Sequence, residues 1–170
     1  IDPSMADAHY GLGNAKFNLK DFAGAITHFS QAISLGPTDI KFFMDRGDSY
    51  FMTEDYAKAI DDFTKAIELD PAYAKAYVFR GDAKDYLDRS REAIEDYNKA
   101  LELNPSYDLA YFSRGIARKN INDRIGACED FKKAKELGYE EAVPYAQDCK
   151  WPDLISYISL VGIMIWLDQR

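Results

Sequence analysis

"AYVFRGDAKDYLDRSREAIEDYNKALELNP", residues 76–105, holds two runs in which apolar residues recur every three or four positions, parted by a polar turn and closed by a proline. That spacing puts the apolar side chains on one face of each of two helices. Working outward, Pro105 repeats Pro71, Pro37 and Pro3 at intervals of 34 residues. Gly13, Gly47, Gly81 and Gly115 keep the interval, as do Ala25, Ala59, Ala93 and Ala127, and again Ala32, Ala66, Ala100 and Ala134. Phe29, Phe63, Tyr97 and Phe131 fall between the two alanine sets, and turns such as "LKD" (19–21) and "TED" (53–55) split each unit in two. Such a period marks a stack of helical hairpins.

The small residues have a steric reason. A glycine on the first helix facing two alanines on the second lets the helix axes approach closely, and the neighbouring aromatic fills the wedge beyond. Leucine at Gly81 would overpack that crossing. The proline stands where the second helix has ended, because it cannot continue a helix and biases its predecessor to extended backbone.

These residues closely resemble the tetratricopeptide repeat family, over about residues 1–150. The resemblance implies an all-α fold, a right-handed superhelical solenoid of helix-turn-helix units. We place the units at 6–37, 38–71, 72–105 and 106–139, with "EEAVPYAQDCK" (140–150) as the solvating cap helix that repeat arrays need. Two departures stand out: His9 occupies the aromatic slot of Phe43, Tyr77 and Tyr111, and Tyr139 replaces a fifth proline, which ends the array after four units. Ile1-Asp2-Pro3 matches the "LDP" that closes the second unit at 69–71, so the chain is expected to begin inside a longer solenoid.

The units also differ among themselves. Units two, three and four carry Arg46, Arg80 and Arg114 before the glycine and Asp62, Asp96 and Asp130 on the second helix, whereas unit one has Leu12 and His28. Residues that come and go together suggest charge-assisted pairs between helices, since an unpaired buried charge is costly. The competing reading is two sets of independent solvated charges, in line with the acidic neighbours Asp61-Asp62 and Glu95-Asp96 taken as a wetted helix face.

In the resembled family the first helices line a concave face. Residues expected on that face are Asp7, Tyr10, Asn14 and Phe17, then Lys41, Met44, Asp48 and Phe51, then Lys75, Val78, Asp82 and Asp85 with Phe79 and Asp45 at the edge, then Leu109, Phe112, Ile116 and Lys119. Aromatic pads beside a carboxylate cluster suit an extended or helical peptide with apolar anchors and basic residues. The family's chaperone carboxylate clamp fits poorly: Asn14 and Lys75 match it, but Tyr10, Asp45 and Phe79 stand where further polar and basic residues belong, and Asp45 would repel an anion.

The chain has 170 residues, 47% hydrophobic and 29% charged, with a net charge of -8. That composition is globular, and the negative charge opposes nucleic-acid binding. No targeting signal is readable, so the compartment stays open. No cofactor, metal or catalytic pattern emerges. "GLGN" (11–14) lacks the strand and third glycine of a dinucleotide fingerprint, His9 and His28 sit in repeat slots, and Ser30 and Ser113 have no triad partners. We therefore expect a non-enzymatic scaffold or adaptor.

Cys128 and Cys149 fall on the last unit's second helix and on the cap, in a stretch similar to the terminal unit of certain bacterial repeat proteins. A bridge stapling the cap and a pair of buried free thiols are both open. Finally, Leu154–Leu167 is a run of fourteen residues without a charge. Trp151-Pro152 would break the cap and Asp153 would start a helix to about residue 168. At about 1.5 Å per residue this run falls short of a bilayer core. Trp151, Leu154, Tyr157, Ile158, Val161, Ile165 and Trp166 are its candidate contacts, docking on the solenoid or pairing two copies as a homodimer. Membrane association, with the protein acting as an anchored assembly factor, is the alternative.

Overall fold

A computed structural model describes residues 3–149 of the chain. Among the described residues every regular element is an α-helix: α1 (Pro3–Asn18), α2 (Phe22–Leu35), α3 (Ile40–Met52), α4 (Tyr56–Leu69), α5 (Ala74–Asp85), α6 (Ser90–Leu103), α7 (Asp108–Asn120), α8 (Arg124–Glu136) and α9 (Ala142–Asp148). Each helix packs on the next in chain order, and α1 also touches α3 as α5 touches α7. Odd-numbered helices therefore share one side of the solenoid. The expectations placed on residues 151–170 lie outside the described residues. Among those that are described, no helix is long and apolar enough to cross a membrane.

Each hairpin closes through one residue in the left-handed region: Lys20, Glu54, Asp88 and Asn122, with φ of 60°, 61°, 58° and 65°. The 34-residue period thus extends to a backbone position that four different side chains conceal. Asp21, Asp55 and Asp123 follow and cap the next helix by accepting from the amides of Gly24, Lys58 and Gly126. Unit three has Arg89 there instead, which holds Glu92 on the first turn of α6.

The crossings are as tight as the small residues imply. A Cβ built on Gly13, Gly47, Gly81 or Gly115 would lie 2.5–2.7 Å from the ring of Phe29, Phe63, Tyr97 or Phe131. Both alanine sets are buried.

Arginine and aspartate do pair. Arg46 donates Nε and Nη2 to the two carboxylate oxygens of Asp62 at 2.8 and 2.6 Å, and Arg80 with Asp96 and Arg114 with Asp130 repeat the fork at 2.9 and 2.6 Å. The third donor, Nη1, crosses to the preceding unit, reaching Ser30, Thr64 and Asn98. Each guanidinium thus ties its own helix to the second helices of two units. Asp62 and Asp96 are buried, which corrects the reading of the acidic neighbours as wholly wetted; only Asp61 and Glu95 are exposed. The fork removes both aspartates from water because its donors replace hydration.

At the two ends the lattice is replaced. In unit one the rings of His9 and His28 stack at 5.7 Å, with their Nδ1 atoms 3.4 Å apart, and Leu12 is exposed. At the other end Tyr145 of α9 packs against Phe112 and Phe131, and a Cys128–Cys149 disulfide spans a Cα–Cα distance of 5.6 Å. Of the two cysteine states open in the sequence, the structure holds the bridge.

Candidate binding trough

Two adjoining cavities open along the odd-numbered helices. The first, about 260 Å³, has walls from Phe17 of α1, Phe51 of α3 and Phe79 of α5, with Asp48 and Asp82 among them. The second, about 300 Å³, lies between α5 and α7 and is bounded by Asp82, Asp85, Tyr86, Leu109, Phe112 and Ile116, with Phe51 again at its edge. Phe51 and Asp82 belong to both, so the two form one trough.

The carboxylates are held in place. Tyr97 donates its hydroxyl to Asp82 Oδ1 at 2.8 Å, and Asn120 donates to Asp85 Oδ2 at 3.0 Å. Asp85 Oδ1 is buried and has no hydrogen-bond partner among the described residues. Burial pushes Asp48 up to about 7, with Asp45 and Asp82 adding repulsion and Lys75 opposing it. Burial likewise raises Asp82 to about 6 despite its bonds from Tyr97 and Ser113. Burial and the Asp82 charge raise the Tyr97 phenol.

A raised carboxyl pKa reverses the usual acid behaviour. The folded state binds the Asp48 proton more tightly than the unfolded chain, so this stabilisation is complete below the unfolded value of 3.8 and is lost as pH rises through about 7. Asp48→Asn removes the charge. It should leave stability nearly unchanged at pH 4 and raise it by about 1–2 kcal/mol at pH 8, as read by urea unfolding at the two pH values.

The face drawn from the sequence divides into three. Phe17, Asp48, Phe51, Phe79, Asp82, Asp85, Leu109, Phe112 and Ile116 come together in the trough. Met44 and Val78 do not line it, a correction to their placement: they are 3% and 0% exposed. Met44 packs with Ala76 and Ala83 of α5, and Val78 with Ala110 and Ala117 of α7, because the next unit's first helix leans over that side of the face. The end at α1 satisfies itself. Tyr10 donates to Asp45 at 2.6 Å, Asn14 hydrogen-bonds Tyr10, and Lys41 sits between Asp7 and Asp39 over the Tyr10 ring. Lys119 is exposed and lies over the Tyr145 ring, beside the disulfide. Lys75 covers the Phe79 ring at 4.8 Å, where Asp45 and Asp48 feel its charge.

Sequence reasoning missed Tyr97 and Ser113. A signal existed for Tyr97, the one tyrosine in a slot otherwise held by Phe29, Phe63 and Phe131, since a buried phenol usually finds a partner. Ser113 had none.

With this geometry established, the chain can be set beside known proteins. The tetratricopeptide repeat profile matches residues 6–39 and 40–73, and a second profile of the same repeat matches 89–121. Hsp70-Hsp90 organizing protein 3 of Arabidopsis thaliana is 46% identical over 46 residues, 27% of this chain; those residues are 8% of that protein's length. The crystal structure of MamA is 30% identical with a TM-score of 0.75, covering 83% of this chain and 82% of that one. The first such domain of Spaghetti (RPAP3), bound to the HSP90 peptide SRMEEVD, is 27% identical with a TM-score of 0.69, covering 72% and 97%. A 34-residue helical hairpin stacked in chain order, matched by profile, by sequence and by superposition, places this chain in the tetratricopeptide repeat family.

Proposed function

We propose that the protein is a non-enzymatic scaffold that holds a segment of a partner protein in the trough, the segment bringing apolar anchors and basic residues. The observation that carries this reading is the pair of adjoining cavities, aromatic in wall and acidic in floor. Aromatic rings supply contact area at little entropic cost, and desolvated carboxylates favour a cation over an anion. Membership of a family whose domains include one solved with a bound peptide supports peptide capture. The charge argues for a different ligand from that one, because Asp45, Asp48, Asp82 and Asp85 oppose the acidic SRMEEVD sequence.

Two results are expected. A pulldown with the intact chain recovers partners that the Phe51→Ser/Phe79→Ser/Phe112→Ser variant loses, and SRMEEVD binds no better than its scrambled version. Identical partner lists from the two proteins would move the binding surface away from the trough.

A further inference from the structure

The floor of the α5–α7 cavity has an unusual inventory. Among the described residues Asp85 Oδ1 is buried without a partner, while Asn120 holds the other oxygen of the same carboxylate. A buried acceptor with no donor is costly. A donor arriving from outside would remove that cost. The protein's own basic residues on the flanking helices are engaged elsewhere: Arg80 and Lys84 bind Asp96, Arg114 and Arg118 bind Asp130, Lys75 covers Phe79 and Lys119 covers Tyr145. Beside the carboxylate stand Phe51, Tyr86 and Phe112, with Tyr86 65% exposed. Rings flanking a carboxylate suit a guanidinium or an ammonium on an aliphatic stem.

Resting on the peptide-holding reading above, we propose that this cavity is the seat for one arginine or lysine side chain of the ligand, with an apolar residue of the same segment filling the Phe17–Phe51–Phe79 cavity. Adjacent helices lie about 10 Å apart and an extended chain advances about 3.3 Å per residue, which separates the two anchors by about three positions. Tyr97 and Ser113 fix Asp82 at the boundary between the cavities, where its negative charge faces the incoming cation. Burial already disfavours that charge, and a cation in the seat offsets the penalty.

The test is selection from a phage-displayed random heptapeptide library on the full chain, on Asp85→Lys and on Phe51→Ser/Phe79→Ser. Wild type should enrich peptides with Arg or Lys about three positions from an apolar residue. Asp85→Lys should keep the apolar preference and replace the basic residue by Asp or Glu. Should that variant fail to fold, Asp85→Asn serves, with the basic preference lost. For a wild-type-selected peptide, changing its basic residue to Ala should weaken binding on the order of tenfold to the wild type and leave binding to Asp85→Asn nearly unchanged. An unaltered basic preference in the Asp85 variants would overturn the seat while leaving the trough. Selection that is the same on Phe51→Ser/Phe79→Ser, or absent on wild type, would overturn the trough and the seat with it.

Discussion

Arg46→Met should lower the free energy of unfolding by about 3–5 kcal/mol, while Arg80→Met and Arg114→Met each lose about half as much. The three arginines make the same fork, so the difference comes from what remains after each is removed. Asp96 keeps Lys84 at 2.7 Å and Asp130 keeps Arg118 at 2.9 Å. Both second cations come from the residue one helical turn after the arginine, and in unit two that position is Tyr50. Asp62 would be left buried with its charge uncompensated, and burial already pushes its carboxyl up with Arg46 in place. Truncating the partner of a buried charge costs more than removing both. Arg46→Met/Asp62→Leu should accordingly recover most of the loss. Equilibrium urea denaturation of the four variants checks the order, and equal losses at all three arginines would show that the second cation contributes nothing.

Gly81→Leu should cost about 3 kcal/mol or more, because the first added carbon already meets the Tyr97 ring at 2.7 Å and the helix crossing has no room to yield. This crossing also reaches the trough. Tyr97 carries the hydroxyl that fixes Asp82, so displacing the ring frees the carboxylate at the boundary of the two cavities. Binding should weaken along with stability. Gly11 supplies the control: it lies on the same type of helix, nothing stands within 4 Å of its missing Cβ, and Gly11→Ala should gain about 0.5–1 kcal/mol from helix propensity. Thermal unfolding of both variants distinguishes a packing role for Gly81 from a general intolerance of change.

The repeat was legible because its strongest constraints are steric. A glycine facing an aromatic ring and an alanine with no exposed surface cannot drift without breaking the crossing, so Gly47 and Ala59 reappear as Gly81 and Ala93. The buried pairs were legible for a related reason, since Arg and Asp were both missing from unit one. The trough was legible only in outline. Which members of a helix face remain open depends on how far the next unit leans, and Met44 and Val78 were lost to that tilt. The contacts that Lys41 and Lys119 make could not be read from their own helices, because Asp7 and Tyr145 stand one unit or one cap away. Backbone geometry hid best of all: Lys20, Glu54, Asp88 and Asn122 share one conformation but are four different residue types.

Hydrogen exchange of the full chain, with and without a peptide selected on it, most directly tests the claim that stacked hairpins leave an acidic, aromatic trough to hold a partner's chain. Added protection should fall on α3, α5 and α7 and spare the opposite faces of α4, α6 and α8. Protection confined to the even-numbered helices would contradict the account.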